Sequence, residues 1–155
     1  AVAAGRFDLR DAPPELNAPV VATLLAPTRI YVKPVQNVLR DFTVNGLVHV
    51  TGGGFEGNLP RVLPRGVRAR LDPSAWPRPP IFDFLQRHGE IPEAEMRRVF
   101  NCGIGFVLVV PRAEADDVLE RLNGMGEKAH RIGVVERKRD HEPPVLFEGA
   151  AGPGR

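Results

Sequence analysis

The chain has 155 residues, of which 43% are apolar and 26% charged, with a formal net charge of +2. This is the length of one domain with enough apolar surface for a core, and the near balance of acids and bases excludes a dedicated nucleic-acid binder, which would show a basic stripe and aromatic stacking platforms. No apolar run nears the roughly 20 residues of a membrane span, and the single cysteine, Cys102, excludes an internal disulfide and fits a reducing cytoplasm.

Residues 2–9 read as the end of a helix without an N-cap, and Pro13-Pro14 breaks it. Residues 20–25 suit a short helix ended by Pro27. Residues 29–32 read as a strand stopped by Pro34, and 35–41 as one or two helical turns. Residues 47–51 form a second strand, with Leu47, His49 and Thr51 on one face and Val48 and Val50 on the other. Three glycines follow, then a short helical piece over 55–63. Residues 67–71 alternate apolar and Arg, as a half-buried strand does.

Residues 73–80 are a proline-rich loop holding Trp76. Residues 81–88 form a helix closed by Gly89, and 92–100 another with Pro92 in its first turn. Residues 103–110 read as a central strand. Residues 114–125 are amphipathic, with Val118, Leu119, Leu122 and Met125 at helical spacing and glycines at the end. Residues 129–137 and 144–147 are further strands. Strands alternating with helices make this an α+β or mixed α/β layered domain, a mixed sheet packed with helices. We assign it to residues 1–148, leaving 149–155 as a disordered Gly/Pro tail. Ala1 to Ala4 form no signal-peptide leader, and without an initiator Met the chain reads as trimmed or as a piece of a longer polypeptide.

The chemistry concentrates at His49-Val50-Thr51-Gly52-Gly53-Gly54. Glycine lacks a Cβ, so it can adopt positive φ and let a ligand approach the backbone. Three in a row at a strand end expose several N–H groups, which form an anion site if they converge or lead into a helix N-terminus. His49 and Thr51 would face the same mouth. The run equally reads as a plain turn, and a lone strand histidine is often a structural hydrogen-bonding residue. Asn58 suits either a ligand contact or support of the short helix.

Other sites find less support. Cys102 has no recognisable base partner for a nucleophile, and the four histidines match no metal-ligand spacing. The chain carries no phosphate-binding Gly-x-x-x-x-Gly-Lys-Ser/Thr motif and no Gly-x-Ser-x-Gly elbow. The Arg65, Arg68 and Arg70 cluster and the Arg137-Lys138-Arg139 run read as solvated faces.

Several stretches in order nevertheless resemble one family. These are 27–34 (Pro-Thr-Arg-Ile-Tyr-Val-Lys-Pro), 46–54 (Gly-Leu-Val-His-Val-Thr-Gly-Gly-Gly), 58–64 (Asn-Leu-Pro-Arg-Val-Leu-Pro), 76–82 and 100–105 (Phe-Asn-Cys-Gly-Ile-Gly). Together they are similar to the C-terminal half of phosphoribosylformylglycinamidine cyclo-ligases, the aminoimidazole ribonucleotide synthetases, over roughly residues 23–135. The resemblance implies a step of purine biosynthesis. ATP activates the formyl amide oxygen of formylglycinamidine ribonucleotide, an internal nitrogen closes the imidazole ring, and phosphate leaves.

It further implies that ATP and Mg²⁺ are bound mainly by an N-terminal half absent from this sequence and that the full-length protein is a homodimer. A cytoplasmic location without nucleic-acid or membrane partners is the expectation from composition. By the same resemblance His49 is the candidate for polarisation or proton transfer. Thr51, Gly52, Gly53, Gly54 and Asn58 are candidates for holding the ribonucleotide substrate, Arg29 and Lys33 weaker candidates for lining the cleft, and Asn101 is structural. Two other readings stand beside it. One is a related ATP-dependent enzyme, of the formylglycinamidine ribonucleotide synthetase, selenide water dikinase or thiamine phosphate kinase type. The other is a non-catalytic nucleotide- or partner-binding module.

Overall fold

The computed structural model describes residues 7–148. Helices are α1 (Val20–Leu24), α2 (Val32–Asp41), α3 (Gly54–Asn58), α4 (Pro80–Gly89), α5 (Glu93–Val99) and α6 (Ala115–Gly124). Strands are β1 (Gly46–His49), β2 (Val67–Leu71), β3 (Phe106–Val109), β4 (Gly133–Arg137) and β5 (Val145–Phe147). A 3-10 turn, Leu59–Arg61, continues α3, because Pro60 removes a donor and tightens the chain there. The mixed α and β content agrees with the expected class.

The strands form two small sheets rather than one. β1 and β3 pair antiparallel, with His49 opposite Phe106 and Leu47 opposite Leu108. β2 lies between β4, antiparallel, and β5, parallel. The expected central strand is therefore the partner of β1 alone. Its apolar run is explained by burial on both faces. Val107 joins Val48, Val50, Phe55, Leu71, Trp76 and Phe147 in the main core. Leu108 and Val110 pack against a second cluster of Val38 from α2 with Val118 and Leu122 from α6.

Two local expectations need correction. Residues 29–32 are not a strand: Arg29 to Tyr31 are irregular and Val32 opens α2. Pro34, read as a stop, sits in the first turn of that helix. The first four amides of a helix lack internal acceptors, so a proline there forfeits no hydrogen bond. The expected helix end at 2–9 is not helical over Phe7 to Leu9, and its remainder lies outside the described residues, as does the 149–155 tail.

The alternation read in 47–51 holds. Val48 and Val50 are 4% and 1% exposed, while Leu47, His49 and Thr51 are exposed. Burying two valines on one face fixes the register, because a one-residue slip would carry both into water and His49 into the core. In β2 the arginines of the alternating pattern are held by cross-strand pairing: Arg68 and Arg70 both bond Glu136 on β4, at 2.8 and 3.0 Å. Among the described residues no helix is long and apolar enough to cross a membrane.

Candidate functional site

β1 ends at His49, and the glycine run turns the chain directly into α3. Two glycines carry positive φ, Gly53 at 96° and Gly54 at 55°. Gly54 is also sterically required. A Cβ there would overlap the carbonyl oxygen of Arg97 and stand 2.9 Å from that of Phe100, so the loop packs backbone against backbone on the end of α5. Its N–H bonds the Thr51 carbonyl at 3.1 Å, closing the turn.

Asn58 fastens the loop from beneath. It is 3% exposed, and its side-chain Nδ2 donates to the carbonyls of Gly54 (2.7 Å), Gly52 (3.3 Å) and Thr51 (3.4 Å). An amide donor among three carbonyls holds them inward. The opposite side of the same peptide planes then faces out. The N–H groups of Gly52 and Gly53 make no hydrogen bond to any described residue, and Gly52 is exposed with nothing within 4 Å of its missing side chain. These are open donors on a fixed frame, the feature an anion requires.

His49 stands beside this mouth on the exposed face of β1. Its ring stacks on Phe106 across the strand pair at 6.1 Å and meets Tyr31 edge-on at 5.9 Å. Tyr31 leans on Phe106 at 5.2 Å. Burial pushes the Tyr31 phenol above its ordinary value, partly countered by Arg29, so the hydroxyl stays a neutral donor.

A cleft of about 200 Å³ opens past Tyr31, lined by Arg29, Trp76, Gly105, Lys128 and His130 among others. Arg29 reaches across it to Glu127 at 3.0 Å. The structure thus brings Thr51, Gly52, Gly53 and Gly54 together in one turn held by Asn58, sets His49 at the end of the strand that leads into it, and puts Arg29 on the neighbouring cleft. Lys33 is exposed in the first turn of α2 and does not line that cleft.

The remaining candidates are structural. Asn101 Oδ1 accepts the Gly103 amide at 3.1 Å, shaping the entrance to β3. Cys102 is 5% exposed with φ 46°, its carbonyl accepts the Trp76 indole N–H at 3.0 Å, and burial pushes its thiol up. A thiol so placed is a poor nucleophile.

Sequence reasoning passed over Tyr31 as part of the site. The signal available was Gly105, since a glycine inside a strand-like run often marks the close approach of another group. That group is the Tyr31 ring.

Comparison with known proteins places these features in a family. Residues 2–145 match the family model described as AIR synthase related protein, C-terminal domain. The chain is 49% identical over 124 residues to the phosphoribosylformylglycinamidine cyclo-ligase of Burkholderia vietnamiensis, covering 80% of this chain and 35% of that protein. It is 51% identical over 124 residues to the cyclo-ligase of Geotalea uraniireducens, covering 80% and 36%. With the cyclo-ligase of Oleidesulfovibrio alaskensis it shares 50% over 137 residues, covering 88% and 39%. The chain spans little more than a third of the length of these curated relatives. With the match running almost end to end, this chain belongs to the AIR synthase related protein C-terminal domain family.

Proposed function

We propose that this chain is the glycine-loop half of a phosphoribosylformylglycinamidine cyclo-ligase, acting within a longer polypeptide in ATP-dependent closure of the imidazole ring during cytoplasmic purine biosynthesis. The observation that carries the reading is the pair of open amides at Gly52 and Gly53, whose peptide planes Asn58 fixes, in the turn that follows the last residue of β1, His49. Oriented N–H groups of this kind hold a phosphate or a developing oxyanion without reorganising. In this reading Gly52 and Gly53 bind an anionic group of the ribonucleotide, and Thr51 borders it. His49 moves or polarises a proton at the reacting amidine.

ATP and Mg²⁺ belong to the other part of the polypeptide. Among the described residues no three carboxylate, imidazole or thiol side chains are grouped so as to hold a metal ion. Leu25 just after α1, Ile30 just before α2 and Val32 at the start of α2 are 74%, 80% and 57% exposed and make this stretch an exposed apolar one. We assign its cover to the remainder of the polypeptide, or to a second subunit of a homodimer.

The test is a ring-closure assay on the full-length polypeptide and on this chain alone. The full-length protein turns over, His49→Ala lowers its kcat by roughly 10²–10⁴-fold, the range for loss of a positioned acid or base, and the isolated chain is silent. Turnover by the isolated chain at the full-length rate would overturn the division of roles.

A further inference from the structure

An imidazole that moves a proton has to present one nitrogen in a constant direction. Either a hydrogen bond at the other nitrogen or packing against the ring can fix it. The side chain of His49 makes no hydrogen bond to any described residue, and the groups described against it are the rings of Tyr31 and Phe106. Phe106 supplies one face through the strand pairing. Tyr31 supplies the edge, at an interplanar angle of 65°.

Tyr31 is itself seated by a specific absence. A Cβ at Gly105 would overlap the Tyr31 hydroxyl and stand 2.9 Å from its Cζ, so the phenol lies directly on the Gly105 backbone. The same Gly105 accepts the Val50 amide at 2.9 Å, one residue beyond His49. One backbone position therefore anchors both the strand carrying the imidazole and the ring that meets its edge. The Tyr31 carbonyl adds a further tie, accepting the Val35 amide at 3.0 Å in the first turn of α2.

We propose that Tyr31 is a positioning residue for His49: its ring, seated on the Gly105 backbone, holds the imidazole at the mouth of the glycine loop. The proposal rests on the functional reading above only for what His49 then does.

Proton NMR on this chain tests the packing. The His49 ring lines are displaced from free-histidine positions by the neighbouring rings, and cross-relaxation links the ring protons of Tyr31 and His49. Tyr31→Phe keeps both signatures. Tyr31→Leu and Gly105→Ala move the His49 lines toward free histidine while the amides of β2, β4 and β5 stay in place. In the full-length enzyme Tyr31→Leu lowers kcat with KM nearly unchanged, by up to about 10²-fold, the scale of a misplacement of about 1 Å, and Tyr31→Phe restores it.

Absence of cross-relaxation between the two rings in the unmutated chain overturns the proposal, and this measurement requires no variant to fold. Coincidence of the His49 lines in Tyr31→Leu with those of the parent overturns it equally. Intact ring coupling together with a fully active His49→Ala would fail the functional reading while supporting the packing.

Discussion

Gly54 lies so close to Arg97 that the carbonyl oxygen of Arg97 occupies the space a side chain would need. That oxygen belongs to the α5 backbone, so it cannot swing away as a side-chain tip would. With φ of 55° added, Gly54→Ala meets both a steric and a conformational barrier. It should destabilise the chain by about 3 kcal/mol or more, read as a lower urea midpoint at unchanged slope. A parental midpoint would mean that α3 and α5 are not packed as described.

At Gly52, two positions earlier, an added Cβ would meet nothing within 4 Å. Gly52→Ala should therefore change stability by no more than about 0.5 kcal/mol. If its amide contacts the ligand, a methyl group at the mouth should still raise the KM for the ribonucleotide in the full-length enzyme, by about tenfold. This pairing of unaltered stability with weakened binding separates ligand contact from folding. Unaltered KM would remove Gly52 from the site.

Asn58 offers a graded test of the loop's support. Asn58→Ala leaves three carbonyls without their shared donor and should lower stability by about 1–3 kcal/mol. Asn58→Asp should be worse at neutral pH, since a carboxylate cannot donate and would face three carbonyl oxygens. Burial raises such a carboxyl's pKa, so the loss in the Asp variant should shrink as pH falls and the group regains a proton to donate. Thermal melts across pH would show the order parent, Ala, Asp converging toward acid for Asp alone.

Glu93 provides a pH signature in the parent chain. Partial burial pushes its carboxyl up, but hydrogen bonds from Arg78, Arg97 and Gln86 outweigh this and leave the pKa below its ordinary 4.5. A depressed folded-state value means that stability from this group is complete above the unfolded value. It is lost as pH falls through that value toward the folded one. Glu93→Gln should therefore melt below the parent at about pH 6, and the two curves should approach each other near about pH 3. A gap that persists at acid pH would place the effect in packing rather than charge.

The face pattern of β1 was legible because period-two alternation survives any tertiary setting: Val48 and Val50 point inward whatever they meet. The helix α6 was legible for the same reason, through Val118 and Leu122 at helical spacing. What escaped depends on contacts between segments distant in sequence. Pro34 looks like a terminator until the helix is seen to start two residues before it. The apolar run into β3 looks central because burial between two clusters gives the same composition as burial within a sheet. Tyr31 and Gly105 are 74 positions apart (105 − 31), and neither residue alone announces the other.

The Asn58 clamp also bears on how the proposed binding of an anion to the loop would be driven. Glycine has more backbone freedom to lose than any other residue, and a free run of three would surrender it on meeting a ligand. Here Gly52 and Gly54 are already bound through their carbonyls to a buried amide, so folding has settled that entropy before any anion arrives. The loop is accordingly preorganised, and calorimetry of ligand binding should show little of the unfavourable entropy that ordering a mobile glycine segment would impose.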